Sequence, residues 1–202
     1  MGPLMPVTPL HYPFAFVVSK LDKRLILPGV IVGAVIPDIE VPLMWIFFPG
    51  LPDHLFLHSL IGASTVGVLL AIIITRVFYA PMVSLFFGVD KGELDEACKI
   101  TSALAISCLI GVWSHLLLDY PMHWYNPILW PWVNPFDIVG PLVLFFTPFG
   151  SIYGNAFRLA NSVTSAAMIL LWSVILVWYA NRGLWRNHWL GRPAKTPSGQ
   201  SE

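Results

Sequence analysis

Three stretches of this 202-residue chain, 54 to 75, 100 to 118 and 159 to 181, contain no Asp, Glu, Lys or Arg. Each approaches or exceeds the about 20 apolar residues that a helix needs to cross a bilayer. In hydrocarbon every backbone N–H and C=O must find its partner inside the protein, which leaves helices as the solution for segments of this length. With 56% hydrophobic and 11% charged residues and a mean hydropathy of +0.72, the chain lacks the polar surface of a soluble domain. The expected fold is an all-α polytopic membrane helix bundle. Residues 1–192 form one integral membrane domain, and 193–202, rich in Pro, Ser and Gly, form a disordered tail.

A fourth span begins after Arg24, in LILPGVIVGAVIPDIEVPLMWIFF, and is interrupted by Pro37, Asp38, Glu40 and Pro42, as in helices broken around a site. Residues 138–156 are apolar too, but Gly140, Pro141, Pro148, Gly150 and Gly154 make them a re-entrant or interfacial segment instead of a crossing. At the N-terminus, Thr8 and Pro9 open a short helix that runs to Lys20. The count is therefore four transmembrane helices, a short N-terminal helix and one re-entrant or interfacial segment.

Eleven Lys and Arg balance eleven Asp and Glu, so there is no basic excess and no nucleic-acid partner is expected. Lys20, Lys23, Arg24, Arg76, Lys91, Lys99, Arg182, Arg186, Arg192 and Lys195 all fall on one side of the four spans, and only Arg158 dissents. The positive-inside rule makes that side cytoplasmic, with both termini inside. Trp124, Tyr125, Trp130 and Trp132 then form an aromatic belt on the outer side, in contact with membrane lipids. Cys98 and Cys108, read as one helix, stand roughly 15 Å apart by helical rise and cannot bridge.

Six histidines are the unusual content of so apolar a chain, because ionisable groups at membrane depth are costly and mark function by default. Heights counted at 1.5 Å per residue from the nearest basic residue bring several to one level. His58 rises roughly 27 Å above Arg76, His115 roughly 24 Å and Asp119 roughly 30 Å above Lys99, and Asp38 roughly 21 Å above Arg24. His11 reaches roughly 13 Å and joins them if its helix sits higher or tilts. His54 and His58, and likewise His115 and Asp119, are spaced i, i+4, which puts two ligands on one helix face. Asp38 and Glu40, spaced i, i+2, converge only in extended chain, which Pro37 and Pro42 favour. Imidazoles and carboxylates together suit a divalent metal ion, zinc ahead of manganese or iron.

Other polar residues have plainer explanations. His188 reads as solvated or interfacial, and Asp90, Glu93, Asp95 and Glu96 as a solvated face pairing with Lys91 and Lys99. For the main set the plain explanation is less comfortable, since several His and carboxylates at one depth without a cation leave buried charge unpaired.

TPLH at 8–11, GAVIPDIE at 33–40, DHLFLHS at 53–59, SHLLLD at 114–119 and LWPWVNPF at 129–136 together resemble the membrane-bound, metal-dependent hydrolase family, whose bacterial branch is described as LexA-regulated and inner-membrane. The resemblance covers residues 5 to 137 and implies that His11, Asp38, His58, His115 and Asp119 are metal ligands. This chain departs from the bacterial pattern in three places. Leu55 follows His54 where an Arg is usual, Glu40 replaces an Asp, and Tyr120, Pro121, Met122 and His123 stand where a Thr-containing turn is usual. The last feature is closer to archaeal members.

The expectation that follows is a hydrolase of the plasma (inner) membrane acting on an ester or phosphoester of a lipid or membrane-associated substrate. Its metal site would lie near the extracytoplasmic face, with Glu40, His54 or His123 taking a proton from the attacking water. A metal-ion or proton transporter subunit is the first alternative, although 61–75 and 100–111 carry no ionisable side chain other than Cys108 to continue a path. A non-catalytic scaffold with a structural metal site is the second.

Overall fold

A computed structural model describes residues 8–182 and 188–191. The tail at 193–202, the domain end at 192, and Arg186, Arg192 and Lys195 lie outside the described residues. Within them the fold is all-helical, and four segments are long and apolar enough to cross a membrane: Leu27–Phe47, Leu60–Phe87, Ser102–Met122 and Asn155–Ala180. We label the helices α1 His11–Ser19, α2 Leu27–Gly33, α3 Glu40–Phe47, α4 Leu60–Phe87, α5 Lys91–Ala97, α6 Ser102–Asp119, α7 Pro141–Phe145 and α8 Asn155–Arg182.

The helix that starts at Leu27 breaks where its sequence requires. After Gly33 the chain makes a turn, then a 3₁₀ turn over Ile36–Ile39, and α3 resumes at Glu40. Pro37 has no N–H to give the α-helical ladder and disfavours helical backbone just before it. The link is a tight turn and not the extended chain expected for Asp38 and Glu40, so the two carboxylates serve different partners.

Packing of α2 on α6 fixes the height of the site. A Cβ on Gly33 would lie 2.4 Å from the Cys108 carbonyl oxygen, and one on Gly111 would lie 2.3 Å from that of Val30. The two backbones therefore touch through paired glycines, the small-residue contact by which membrane helices approach closely. That approach carries the Ala34 carbonyl to His115 on α6.

Three boundaries differ from the sequence expectation. Residues 54–59 are not helical, because α4 begins at Leu60, where the Ser59 hydroxyl accepts the Gly62 N–H at 3.1 Å. At its other end α4 runs on to Phe87 and stops at Gly88, which has the left-handed φ of +64°. Arg76 thus lies inside α4 and does not close it; it pairs with Asp95 on α5 at 3.5 Å, so heights counted from it misjudge the membrane edge. Cys98 caps α5 while Cys108 lies within α6, so they do not share a helix, and both thiols are free and buried.

The segment after Asp137 does not cross. It forms the short α7 and a 3₁₀ turn over Thr147–Phe149 and folds back on the end of α6. Gly140 donates its N–H to the His123 carbonyl at 2.8 Å, and a Cβ there would meet the Tyr120 carbonyl oxygen at 2.4 Å. Met122, Val143, Ala156, Phe157 and Ala160 form the buried apolar cluster that holds this cap to α8. Helix α1 lies against α2, α6 and α8.

Candidate metal centre

The break between α2 and α3, the turn before α4, the end of α6 and the start of α1 meet at one end of the bundle. His11, Glu40, His54, His58, His115, Asp119 and His123 are all buried there, and the Asp38 side chain is 14% exposed. All eight site residues marked by the sequence come together. Of the two i, i+4 pairs expected on helices, one is found on a helix. His115 and Asp119 are i, i+4 neighbours on α6, with Nε2 and Oδ2 3.1 Å apart. His54 and His58 are instead held by an irregular turn.

Glu40 builds that turn. Its carboxylate accepts the backbone N–H groups of Leu55 at 3.0 Å, Phe56 at 2.5 Å and Leu57 at 3.1 Å. It also accepts the His58 Nδ1–H at 2.9 Å. These N–H groups would otherwise be orphaned in a buried segment, and charge-assisted bonds to one carboxylate satisfy them. Gly62 completes the fold, since a Cβ there would overlap the Phe56 carbonyl oxygen at 1.9 Å.

Hydrogen bonds then set the tautomers. His115 Nδ1 lies 2.8 Å from the Ala34 carbonyl, which can only accept, and His58 Nδ1 lies on the Glu40 carboxylate. Both Nδ1 atoms carry the proton, so both Nε2 atoms present lone pairs, and these face each other at 3.3 Å. Asp38 Oδ1 stands 3.8 Å from His58 Nε2 and 3.5 Å from His115 Nε2. Asp119 Oδ2 stands 3.8 Å and 3.1 Å from the same two atoms. With both rings neutral, these four donors repel unless a proton or a metal ion stands between them. A tetrahedral divalent ion with ligands at 2.0–2.2 Å needs donors spaced about 3.3–3.6 Å apart. Asp38, His58, His115 and Asp119 therefore form a grouping able to hold a metal ion.

His11 enters from α1 across this grouping. Its ring stacks on His115 with centroids 4.0 Å apart, and its Nε2 hydrogen-bonds Asp119 Oδ1 at 2.9 Å. His11 Nδ1 and Asp38 Oδ2, 3.9 Å apart, are buried without a hydrogen-bond partner. The rise from Lys20 to His11 runs along α1 as counted, so His11 reaches the site because α1 sits higher than the other helices' basic ends, with the non-helical residues 20–26 joining it to α2.

On the other side of Asp119, His54, Asp119 and His123 each bring a donor atom within 4.8 Å of the others. His54 Nδ1 bonds Asp53 Oδ1 at 2.9 Å, and the same oxygen accepts the Tyr125 hydroxyl at 2.6 Å. Burial raises the Asp53 pKa, but the bonds from His54 and Tyr125 outweigh it and hold the carboxyl below its usual range. A cavity of about 10 Å³, the size of one water, is lined by His54, His58, Asp119 and His123 together with Tyr120, Asn126 and Ile128. Beyond Asp53 and Tyr125, a hollow of about 400 Å³ is walled by Trp45, Leu51, Trp124 and Phe136.

Sequence reasoning passed over Asp53, Tyr125 and the Ala34 carbonyl. Asp53 had a signal, being directly before His54; Tyr125 read only as a belt aromatic, and a backbone carbonyl has no sequence signature. His188, expected to be solvated or interfacial, is 1% exposed and so not solvated. It packs on Phe16 and Tyr179, with ring centroids 4.9 and 4.4 Å away, and bonds the Tyr12 hydroxyl.

Fold and site together define an integral membrane helical bundle with a buried His and Asp grouping, able to hold a metal ion, at one end. Residues 10–189 match the YdjM inner membrane protein family, and the chain belongs to it. Neither the curated proteins nor the solved structures contain a match to this chain.

Proposed function

We propose that this chain is a metal-dependent hydrolase embedded in the membrane, cleaving an ester or phosphoester of a lipid or membrane-associated substrate. The observation that carries the reading is the facing pair of His58 and His115 Nε2 atoms at 3.3 Å, with both Nδ1 protons committed to acceptors and Asp38 and Asp119 alongside. A divalent ion bound by these four donors relieves the repulsion between them and neutralises the two carboxylates. A bound divalent ion, with zinc favoured by the His content, supplies Lewis acidity and lowers the pKa of its water towards neutrality.

The chain's residues divide the remaining work. Asp38, His58, His115 and Asp119 hold the ion, and His11 steadies Asp119 and stacks on His115. Glu40, fully engaged by three N–H groups and His58, positions His58 and does not take a proton in this reading. His54 and His123 meet the water in the small cavity. In hydrolysis the water oxygen bonds to the acyl carbon or phosphorus, the ester bond to the leaving oxygen breaks, and that oxygen takes up a proton. The aromatic hollow beside Asp53 suits a substrate that stays in the membrane interface. Lys20, Lys23, Arg24, Lys91 and Lys99 flank the opposite ends of these helices, which supports an extracytoplasmic site by the positive-inside rule.

The test uses protein purified in detergent, with metal content measured and hydrolysis followed on p-nitrophenyl esters, bis-p-nitrophenyl phosphate and phospholipid micelles. We expect bound metal and a turnover that chelator removes and zinc or manganese restores, both lost in His58→Ala and His115→Ala. Metal content unchanged in both variants would sink the site. Metal that binds without turnover on any of these substrates would leave the scaffold alternative standing.

A further inference from the structure

We infer that the centre is built for two divalent ions, with His54 and His123 joining Asp119 to hold the second beside the first. This deepens the reading above and rests on it.

Four observations carry the inference. The first is convergence, since His54, Asp119 and His123 are 5%, 5% and 6% exposed and bring donor atoms within 4.8 Å of each other. The second is wiring. His54 Nδ1 lies on the Asp53 carboxylate at 2.9 Å, as His58 Nδ1 lies on Glu40 at 2.9 Å. Its Nε2 is therefore a lone-pair donor, oriented by an outer carboxylate as metal-ligating histidines are. A Tyr125 hydroxyl bond to the same Asp53 oxygen at 2.6 Å fixes that carboxylate as an acceptor.

The third is space. The water-sized cavity lies between the two donor groupings, with His58 from one, His54 and His123 from the other, and Asp119 from both on its wall. Asp119 has the two oxygens that a shared ligand requires.

The fourth is charge. Asp38, Glu40, Asp53 and Asp119 cluster here, and among the described residues every ion-pair partner they have is a histidine, never a Lys or Arg. A histidine ligates a metal ion only as the neutral imidazole, so in the loaded centre His54 and His58 bring no compensating charge. One divalent ion offsets two of the four negative charges, and a second offsets the rest. In so apolar a surrounding that balance matters, because uncompensated buried charge is costly.

The experiment strips the full-length protein in detergent with chelator, reloads it with manganese(II), and measures bound metal per chain alongside the electron paramagnetic resonance spectrum. We expect two manganese ions per chain and a spin-coupled spectrum, as for ions sharing a carboxylate. His54→Ala and His123→Gln should each halve the metal content and return the spectrum of an isolated ion, while circular dichroism and gel filtration show the fold retained. One ion per chain, unchanged by either substitution, overturns the second ion and leaves the single-ion hydrolase standing. No bound ion in the unmodified protein overturns both.

Discussion

Two ends of this molecule bury histidine, and they do so differently. At one end His188 is enclosed by Phe16, Tyr179 and Trp189, and its Nε2 meets the Tyr12 hydroxyl. A ring in an aromatic box with a hydroxyl on its Nε2 serves packing; burial pushes its pKa down to about 4, which keeps it uncharged. At the other end, five histidines and four carboxylates share one region. There the Nδ1 atoms of His54, His58 and His115 are satisfied while the Nε2 atoms of His58 and His115 point at each other. Burial is common to both ends, so burial does not distinguish function. Convergence of imidazole nitrogens and carboxylate oxygens from several elements does.

The comparison is broken most severely at Asp119, the carboxylate common to both donor groupings. Asp119→Asn removes its charge, and metal affinity should fall by more than the about 10–100-fold typical of outer-shell changes, as read by metal analysis after dialysis against a weak chelator. Glu40→Gln comes next. It leaves the proposed ligands in place but puts an amide donor against the N–H groups of Leu55, Phe56 and Leu57. Affinity should drop by about 10–100-fold, with a stability loss of about 1.5–3 kcal/mol for each charged hydrogen bond lost.

Much of this architecture is legible in the sequence, for identifiable reasons. Charge-free runs are long-range averages, so three crossings could be read from composition alone, the fourth despite Asp38 and Glu40, and the 138–156 segment from its Gly and Pro residues. His115 and Asp119 could be paired because α6 is regular and the 3.6-residue period applies. The same rule failed for His54 and His58, because Glu40, distant in sequence, takes the N–H groups that a helix would have used. Residues 54–59 are apolar enough to look helical, and no local pattern betrays a carboxylate arriving from another element. Height arithmetic failed at Arg76 for a related reason: a basic residue can sit inside a helix when an acid such as Asp95 reaches it. The burial of His188 was not legible because its aromatic box is assembled from α1 and α8.

A milder change acts on the scaffold without touching the site. Gly111→Ala sets a Cβ 2.3 Å from the Val30 carbonyl oxygen, so α2 and α6 must separate by a fraction of their present approach. Such overpacking costs about 1–3 kcal/mol, measurable by thermal unfolding in detergent. Because α2 carries the Ala34 carbonyl to His115, the same shift should loosen the His115 tautomer and weaken metal binding by less than Glu40→Gln does. Retained affinity alongside the full stability loss would mean that the glycine contact serves packing only.

The smallest effect on metal is expected at the other histidine. His188→Leu leaves the Tyr12 hydroxyl facing apolar neighbours, and an unsatisfied buried hydroxyl costs about 1–3 kcal/mol. Adding Tyr12→Phe removes that hydroxyl, so the double variant should recover most of the stability lost in the single one; such partial cancellation is the signature of a hydrogen bond between two structural groups. Metal content should stay at the unmodified level in both variants, since His188 bonds Tyr12 and packs on Phe16 and Tyr179, away from the cluster around Asp119. Loss of metal from His188→Leu with the fold retained would show that the two ends are coupled through α1, whose first residue is His11 and whose second is Tyr12, and the contrast between a finished aromatic box and an open donor cluster would then fail.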